Sequence, residues 1–266
     1  MAVYNYKQDN RYIFTEAIES ILNQTYSNFE FIICDDGSTN ETYQILESFA
    51  KKDSRIVLLK NERNMGIAFS SNKCFSVAKG EYIARMDADD ISLPERLEKQ
   101  VAFLDKYPEF AFVSCNCILF DGNGDWGKLI YTELPEKEDF LFTLPFENPA
   151  NMMRKVIFDK VNGYKVGWAT QRSEDYDFFL RCYAEGFYGY NLQEFLFKYR
   201  EDAKAYKRRG YKHRLGETIV RFNGFKKLGL LPRNFLYVIK PLIVGLIPQS
   251  LLSVLRNRRN KVNVRD

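Results

Sequence analysis

Apolar positions along the first hundred residues alternate between helical spacing and unbroken runs. Ile13, Ala17, Ile18, Ile21 and Leu22 fall on one face and predict an amphipathic helix over Tyr12 to Gln24. Phe29 to Cys34 is a run of β-branched and aromatic residues, the pattern of a buried strand. The turn cluster Asp35-Asp36-Gly37-Ser38 ends it and leads into a helix through Thr42, Ile45, Leu46 and Phe49. Ile56 to Leu59 predicts the next strand, Asn64-Met65-Gly66 punctuates, and a third helix runs to about Ala78. Gly80-Glu81 then turns the chain into a strand over Tyr82 to Met86 that stops at Asp87.

Strand, turn and helix thus alternate three times, which implies an α/β fold with a mainly parallel sheet and helices on both faces. Ligands of such sheets bind outside the carboxyl ends of the strands. Both acidic clusters, Asp35-Asp36 and Asp87 to Asp90, occupy such ends. Further along, Pro94 to Tyr107 predicts a helix with proline in its first turn. Phe110 to Phe120 predicts a strand, closed by the hairpin-like turn Gly122-Asn123-Gly124-Asp125. Glu174 to Glu185 predicts a helix whose first turn carries Glu174, Asp175 and Asp177. The chain is basic and helical beyond Lys198, then apolar and broken beyond Pro232.

Composition narrows the chemistry. A length of 266 residues allows a large domain with a substantial core. The 22 Phe and 17 Tyr suit either a core or the walls of a sugar or base site. Five cysteines without CxxC spacing are expected to be buried reduced thiols rather than a zinc site. The single histidine, His213, lies among Lys and Arg, which excludes a multi-His metal site and argues against Ser-His-Asp chemistry. The net charge of +4 conceals an asymmetry, because residues 198–266 hold 18 Lys+Arg against 4 Asp+Glu and the rest holds 21 against 31. An acidic body argues against nucleic-acid binding. The basic tail suits an anionic membrane surface, with a solvated helical face as the alternative.

Three carboxylates in Asp87-Ala88-Asp89-Asp90 repel one another unless a cation joins them. Hard oxygen ligands suit Mg²⁺ or Mn²⁺, which typically keeps one or two protein carboxylates together with substrate phosphates. Asp89 is the expected ligand, with Asp87 aimed at a ribose or at the metal's water shell. Capping of the helix at Pro94 would explain Asp90 alone. Asp35 can accept the N3–H of a uracil ring, or the pair can be a plain turn. At Glu174-Asp175 a carboxylate facing a cleft can act as a general base, or the helix dipole can explain it.

Tyr4-Asn5, Glu16 to Tyr26, and Asp35-Asp36-Gly37-Ser38-Thr39 together resemble the opening of family 2 glycosyltransferases. Asn64-x-Gly66, Gly80-Glu81-Tyr82-Ile83, Asp87-Ala88-Asp89-Asp90, Pro94-x-Arg96-Leu97 and Glu174-Asp175-Tyr176-Asp177 extend the likeness over about residues 1–200. Glu185 to Glu194 and Arg200-Glu201-Asp202 resemble enzymes of bacterial exopolysaccharide and capsule clusters. The resemblance implies a GT-A (Rossmann-like) domain over 1–200, a basic helical extension over 201–266, inverting chemistry and a nucleotide-diphosphate sugar donor, usually a UDP-sugar. It further implies that Tyr4 stacks on the base, Asp35 binds it, Asp87 approaches the ribose, Asp89 holds Mn²⁺ or Mg²⁺, and Asp175 is the base. Arg63, beside the Asn64-Met65-Gly66 turn, is assigned to donor binding. Asn148 stands where many relatives carry His, which puts that residue's acceptor or phosphate contact in doubt.

Members of that family open with an apolar strand before the position of Met1, so a start assigned too far downstream is one expectation, which Met1 at the native N-terminus would refute. Pro241 to Leu255, flanked by Arg256, Arg258, Arg259 and Lys261, is too short to span a bilayer and reads as an interfacial anchor. The expected setting is cytoplasmic, at the inner face of the cell membrane, with a saccharide or lipid-linked acceptor. No Gln-x-x-Arg-Trp motif is present, which favours addition of one sugar. The rival readings are a nucleotidyltransferase, which lacks support from any Gly-rich loop with Arg, and a catalytically silent, partner-binding member.

Overall fold

The computed structural model describes residues 1–6, 11–201 and 210–247. Its first part repeats a strand–helix unit. β1 (Ala2–Val3), β2 (Phe31–Asp35) and β3 (Ile56–Lys60) pair in parallel in that order, Ala2 opposite Cys34 and Phe31 opposite Ile56. Between them run α1 (Arg11–Leu22) and α2 (Thr42–Ala50), and α3 (Ile67–Val77) follows β3. The face expected of α1 is the one that packs, since Ile13, Ala17, Ile18 and Ile21 are buried around Ile33 and Phe31 of β2.

The second part is a mixed sheet in the order β4-β8-β6-β9-β5, with β7 also on β6. Its strands are β4 (Tyr82–Ala84), β5 (Ile91–Ser92), β6 (Phe112–Asp121), β7 (Gly124–Leu129), β8 (Met152–Arg154) and β9 (Gly189–Arg200). β6 and β9 are parallel, whereas β7 and β8 run antiparallel to β6. The hairpin turn expected at Gly122 to Asp125 joins the antiparallel pair β6–β7, whereas strands of two or three residues such as β5 and β8 carry no readable apolar run. α4 (Arg96–Lys106), α5 (Lys155–Val161) and α6 (Glu174–Ala184) cover this part. Its core is rich in phenylalanine, and Phe112, Phe140, Phe146, Phe178 and Phe179 are fully buried there. All five cysteines are buried and none is in a disulfide.

Beside β2 and β4 lies an open slot of about 660 Å³, lined by Phe31 and Ile32 on one side and Tyr82, Ile83 and Ala84 on the other. The buried α-ammonium of Met1 donates to the Ile32 carbonyl at 2.7 Å. Burial pulls its pKa below the ordinary value.

α7 (Tyr211–Lys227) and α8 (Phe235–Leu246) share the aromatic core through Val220, Phe225, Leu228 and Val238. Close approach sets the docking of α7: a Cβ on Gly216 would lie 2.5 Å from the Ala169 carbonyl oxygen. α8 keeps Leu236, Ile243 and Leu246 exposed and buries Pro241 within the helix. No described helix is long and apolar enough to cross a membrane. Of the expected anchor, the residues after Ile247, with Arg256, Arg258, Arg259 and Lys261, lie outside the described residues.

Candidate active site

The turn after β2 is organised by Asp36, not by Asp35. The Asp36 carboxylate is buried, and its Oδ1 accepts from the Asn61 amide, the Met65 backbone N–H and the Ser70 hydroxyl, each at 2.8 Å. Its Oδ2 accepts from Gly66 N–H at 2.8 Å. One carboxylate thus ties the end of β2 to the loop before α3, a fully satisfied buried network. Gly37 makes the approach possible: its φ is +71°, and a Cβ there would meet the Arg63 carbonyl carbon at 2.3 Å. Arg63 is thereby held, exposed, at the rim of the Asp35 turn. An Asp36→Ala variant is expected to lose about 3 kcal/mol of stability, read as a lowered midpoint in thermal and urea unfolding, because four donors lose their acceptor at once.

Asp35 is fully buried, its Oδ2 accepts from Ser38 N–H at 3.2 Å, and its Oδ1 has no partner. Tyr4 lies exposed just before Asn5, whose φ of +45° and side-chain bonds to the Thr39 N–H bind the β1 end to the same turn. Tyr4, Asp35 and Arg63 therefore belong to neighbouring loops at the carboxyl ends of β1, β2 and β3, as the strand–turn pattern requires.

The Asp87–Asp90 run divides into three environments. Asp87 is half-buried and its Oδ1 accepts from Arg85 Nη2 at 2.9 Å. Asp89 is exposed, and its carbonyl accepts from Arg200 Nε at 3.0 Å. Asp90 faces inward, where its Oδ1 accepts the Arg200 backbone N–H at 2.8 Å and Oδ2 has no partner. Burial, then Asp89 and Asp87, pushes the Asp90 carboxyl well above the carboxylate range. Among the described residues no group of three His, Cys, Asp or Glu is placed to hold a metal by protein side chains alone. Asp90 does not cap the following helix, which has Glu95 at its N-cap; it clasps β9 instead. The exposed Asp89 carboxylate with Asp87 two residues before it is a donor set that fits Mg²⁺ or Mn²⁺ completing its shell with phosphate and water.

Asp87 and Asp175, far apart in the chain, line one cavity of about 130 Å³ with Arg85, Glu147, Asn148, Tyr164 and Glu174. β4 delivers Arg85 and Asp87, and the first turn of α6, entered through Ser173, delivers Glu174 and Asp175. Asp175 accepts from the Tyr176 N–H at 2.7 Å. Burial first, then Asp175, pushes the Glu174 carboxyl up to about 7. Burial likewise pushes Glu147 up to about 7 against the lowering bond from the Tyr131 hydroxyl, with Asp175 and Asp87 adding to the rise. Asn148 accepts from the Tyr164 hydroxyl at 3.0 Å, so the position that departs from the family pattern still faces the site.

Both raised carboxyls destabilise the fold when ionised. Their folded pKa values lie above the unfolded ones, so the associated stability is complete below about pH 4.5 and is lost as pH rises through about 7. Thermal unfolding is expected to show a decline between pH 5 and pH 8, on the order of 3 kcal/mol at most for each group, and a flatter profile in Glu147→Gln.

Sequence reasoning missed Arg85, Tyr131 and Glu147. Arg85 had a signal, a cation inside an otherwise apolar strand pattern. Glu147 had a weaker one, an isolated acid between Phe146 and Asn148-Pro149.

The model of the family described as Glycosyl transferase family 2 matches residues 1–167. The chain is 40% identical over 260 residues to the putative glycosyltransferase EpsE of Bacillus subtilis (strain 168), covering 97% of this chain and 92% of that one. It is 30% identical over 260 residues to the UDP-Glc:alpha-D-GlcNAc-diphosphoundecaprenol beta-1,3-glucosyltransferase WfaP of Escherichia coli, covering 91% and 92%. Among solved structures, S. aureus TarS 1-349 in complex with UDP-GlcNAc superposes with a TM-score of 0.69 at 19% identity, over 88% of this chain and 70% of that one. That likeness shows the fold, GT-A. A family match across most of the chain, joined to two relatives aligned nearly end to end, makes this protein a glycosyltransferase of family 2.

Proposed function

We propose that the protein is an inverting transferase that moves one sugar from a nucleotide-diphosphate donor, a UDP-sugar, to a saccharide or lipid-linked acceptor in exopolysaccharide or capsule synthesis. The carrying observation is the shared cavity of Asp87 and Asp175, one acid from a strand end and one from a helix start. The name of WfaP, with its UDP-Glc donor and diphosphoundecaprenol acceptor, supports the choice of donor and acceptor class.

In this reading the unpartnered Asp35 Oδ1 accepts the N–H of the base while Tyr4 stacks on it, and Arg63 reaches the donor from the rim. Asp87, fixed by Arg85, hydrogen-bonds the ribose. Asp175 takes the proton of the acceptor hydroxyl as its oxygen bonds to the anomeric carbon. The bond from that carbon to the diphosphate breaks on the opposite face, and the diphosphate leaves with the electron pair. Asp89 would hold Mn²⁺ or Mg²⁺, which supplies positive charge against the departing diphosphate. Release of the corresponding nucleoside diphosphate from a panel of UDP-, GDP- and dTDP-sugars, with and without Mn²⁺, tests the assignment; no nucleotide release from any of them would refute it.

The extension is proposed to rest on the inner face of the cell membrane. The exposed apolar side chains of α8, set within the basic stretch of the chain, support that placement. Flotation with anionic vesicles is expected to carry the protein upward, and its absence from the vesicle fraction would end this part.

A further inference from the structure

We infer that the sugar rings meeting in the Asp87–Asp175 cavity carry no negative charge, and that Glu147 is the residue that enforces this. The inference rests on the proposed transfer reaction and deepens it. Asp87, Glu147, Glu174 and Asp175 all line a space of about 130 Å³. Arg85 is the one cation among the described residues lining it, and its Nη2 and Nη1 are bonded to Asp87 at 2.9 Å and to Ser71 at 3.2 Å. Glu147 and Glu174 are ionised above about pH 7, where the binding measurements below are made. There a carboxylate on an entering sugar would be a fifth negative charge facing a cation already bonded to Asp87, and it would lose its water shell on entry. A neutral ring brings hydroxyl donors to the four carboxyl groups and hydroxyl acceptors to Arg85 and the Asn148 amide, without adding charge.

Glu147 is the member of this set without another duty in the reaction. Asp87 and Asp175 have roles in donor binding and proton transfer, and Glu174 opens α6 beside Asp175. Glu147 comes from the loop before β8, and its carboxylate is gripped from behind by the Tyr131 hydroxyl. Its backbone carbonyl accepts from Ser114 at 3.1 Å. It is therefore held as a fixed acceptor lining the cavity. Such a residue selects by repulsion as well as by attraction.

Calorimetry on the full chain with Mg²⁺ compares UDP, UDP-glucose and UDP-glucuronate. Saturation-transfer NMR in the presence of UDP compares methyl β-glucoside with methyl β-glucuronide. The charged member of each pair is expected to bind about tenfold more weakly or worse. Discrimination confined to one pair assigns the acidic wall to the donor ring or to the acceptor ring. Glu147→Gln, isosteric and without the charge, is expected to narrow the gap to about threefold or less while binding of UDP itself is unchanged. Tyr131→Phe, which keeps the carboxyl but removes the bond that favours its ionised form, is expected to show the same gap only at higher pH. Matched unfolding midpoints of the two variants guard against a loss that reflects misfolding. Equal binding of charged and neutral sugars, or a gap that Glu147→Gln leaves intact, overturns the inference. UDP that binds without sugar discrimination ends this inference alone, whereas absence of UDP binding ends the donor reading with it.

Discussion

Asp175→Asn is expected to lower the rate of sugar transfer by about 10³-fold while UDP binds as it does to the unaltered protein. The substitution keeps the size of the side chain and can keep the contact to the Tyr176 N–H through its carbonyl oxygen. It removes the capacity to take a proton together with the charge that helps to raise Glu174 and Glu147. The acceptor hydroxyl is then a poor nucleophile, so the loss falls on kcat with acceptor and leaves donor affinity intact. Coupled measurement of UDP release at saturating acceptor, together with calorimetry of UDP, separates the two quantities. A variant with undiminished kcat would show that another group, Glu174 or Glu147, does the work. A variant that loses UDP binding as well would show that the α6 start has a structural task.

Asp89→Ala is expected to reduce kcat/KM for the donor by about 10²-fold or more and to remove any response to Mn²⁺. The side chain is exposed, and the backbone bond from Arg200 Nε to its carbonyl survives the change. Stability is therefore expected to stay within about 0.5 kcal/mol of the parent, which distinguishes a lost ligand from a lost fold. The neighbour makes the contrast. Asp90→Ala removes an acceptor for the Arg200 N–H in the interior, and the damage there is expected in stability. Titration with Mn²⁺ and UDP, followed by heat or by proton relaxation, reads the first variant directly. Full metal-dependent binding in Asp89→Ala would move the cation to another side chain.

Much of this site could be read along the chain because strands announce their ends. Apolar runs at Phe31–Asp35 and Tyr82–Ala84 stop in acids, and α/β sheets put ligands at such stops. The Glu174-Asp175 pair was equally visible at the opening of a helix. What periodicity does not carry is the direction in which each acid of a run points. Asp36 and Asp90 look like their neighbours in sequence, yet both turn inward to hold loops together. β9 escaped notice for a related reason. Gly189, Asn191, Gln193 and Glu194 break its alternation, and the register against β6 shifts in that stretch. Glu147 reaches the cavity through tertiary placement, held by Tyr131 and Ser114 from other parts of the chain.

The slot beside Met1 has a practical consequence for anyone attaching something to this polypeptide. Residues fused directly ahead of Met1 must leave through a groove flanked by the β2 and β4 backbones, starting from an amine already tied to Ile32. A short Val- or Ile-rich leader can lie there as an extended rung, satisfying N–H and C=O groups on either side. A Gly/Ser leader gains little from the same path, and a bulky folded tag placed without a spacer would wedge the two strands apart. Affinity handles are therefore better tolerated when several β-branched residues separate them from Met1.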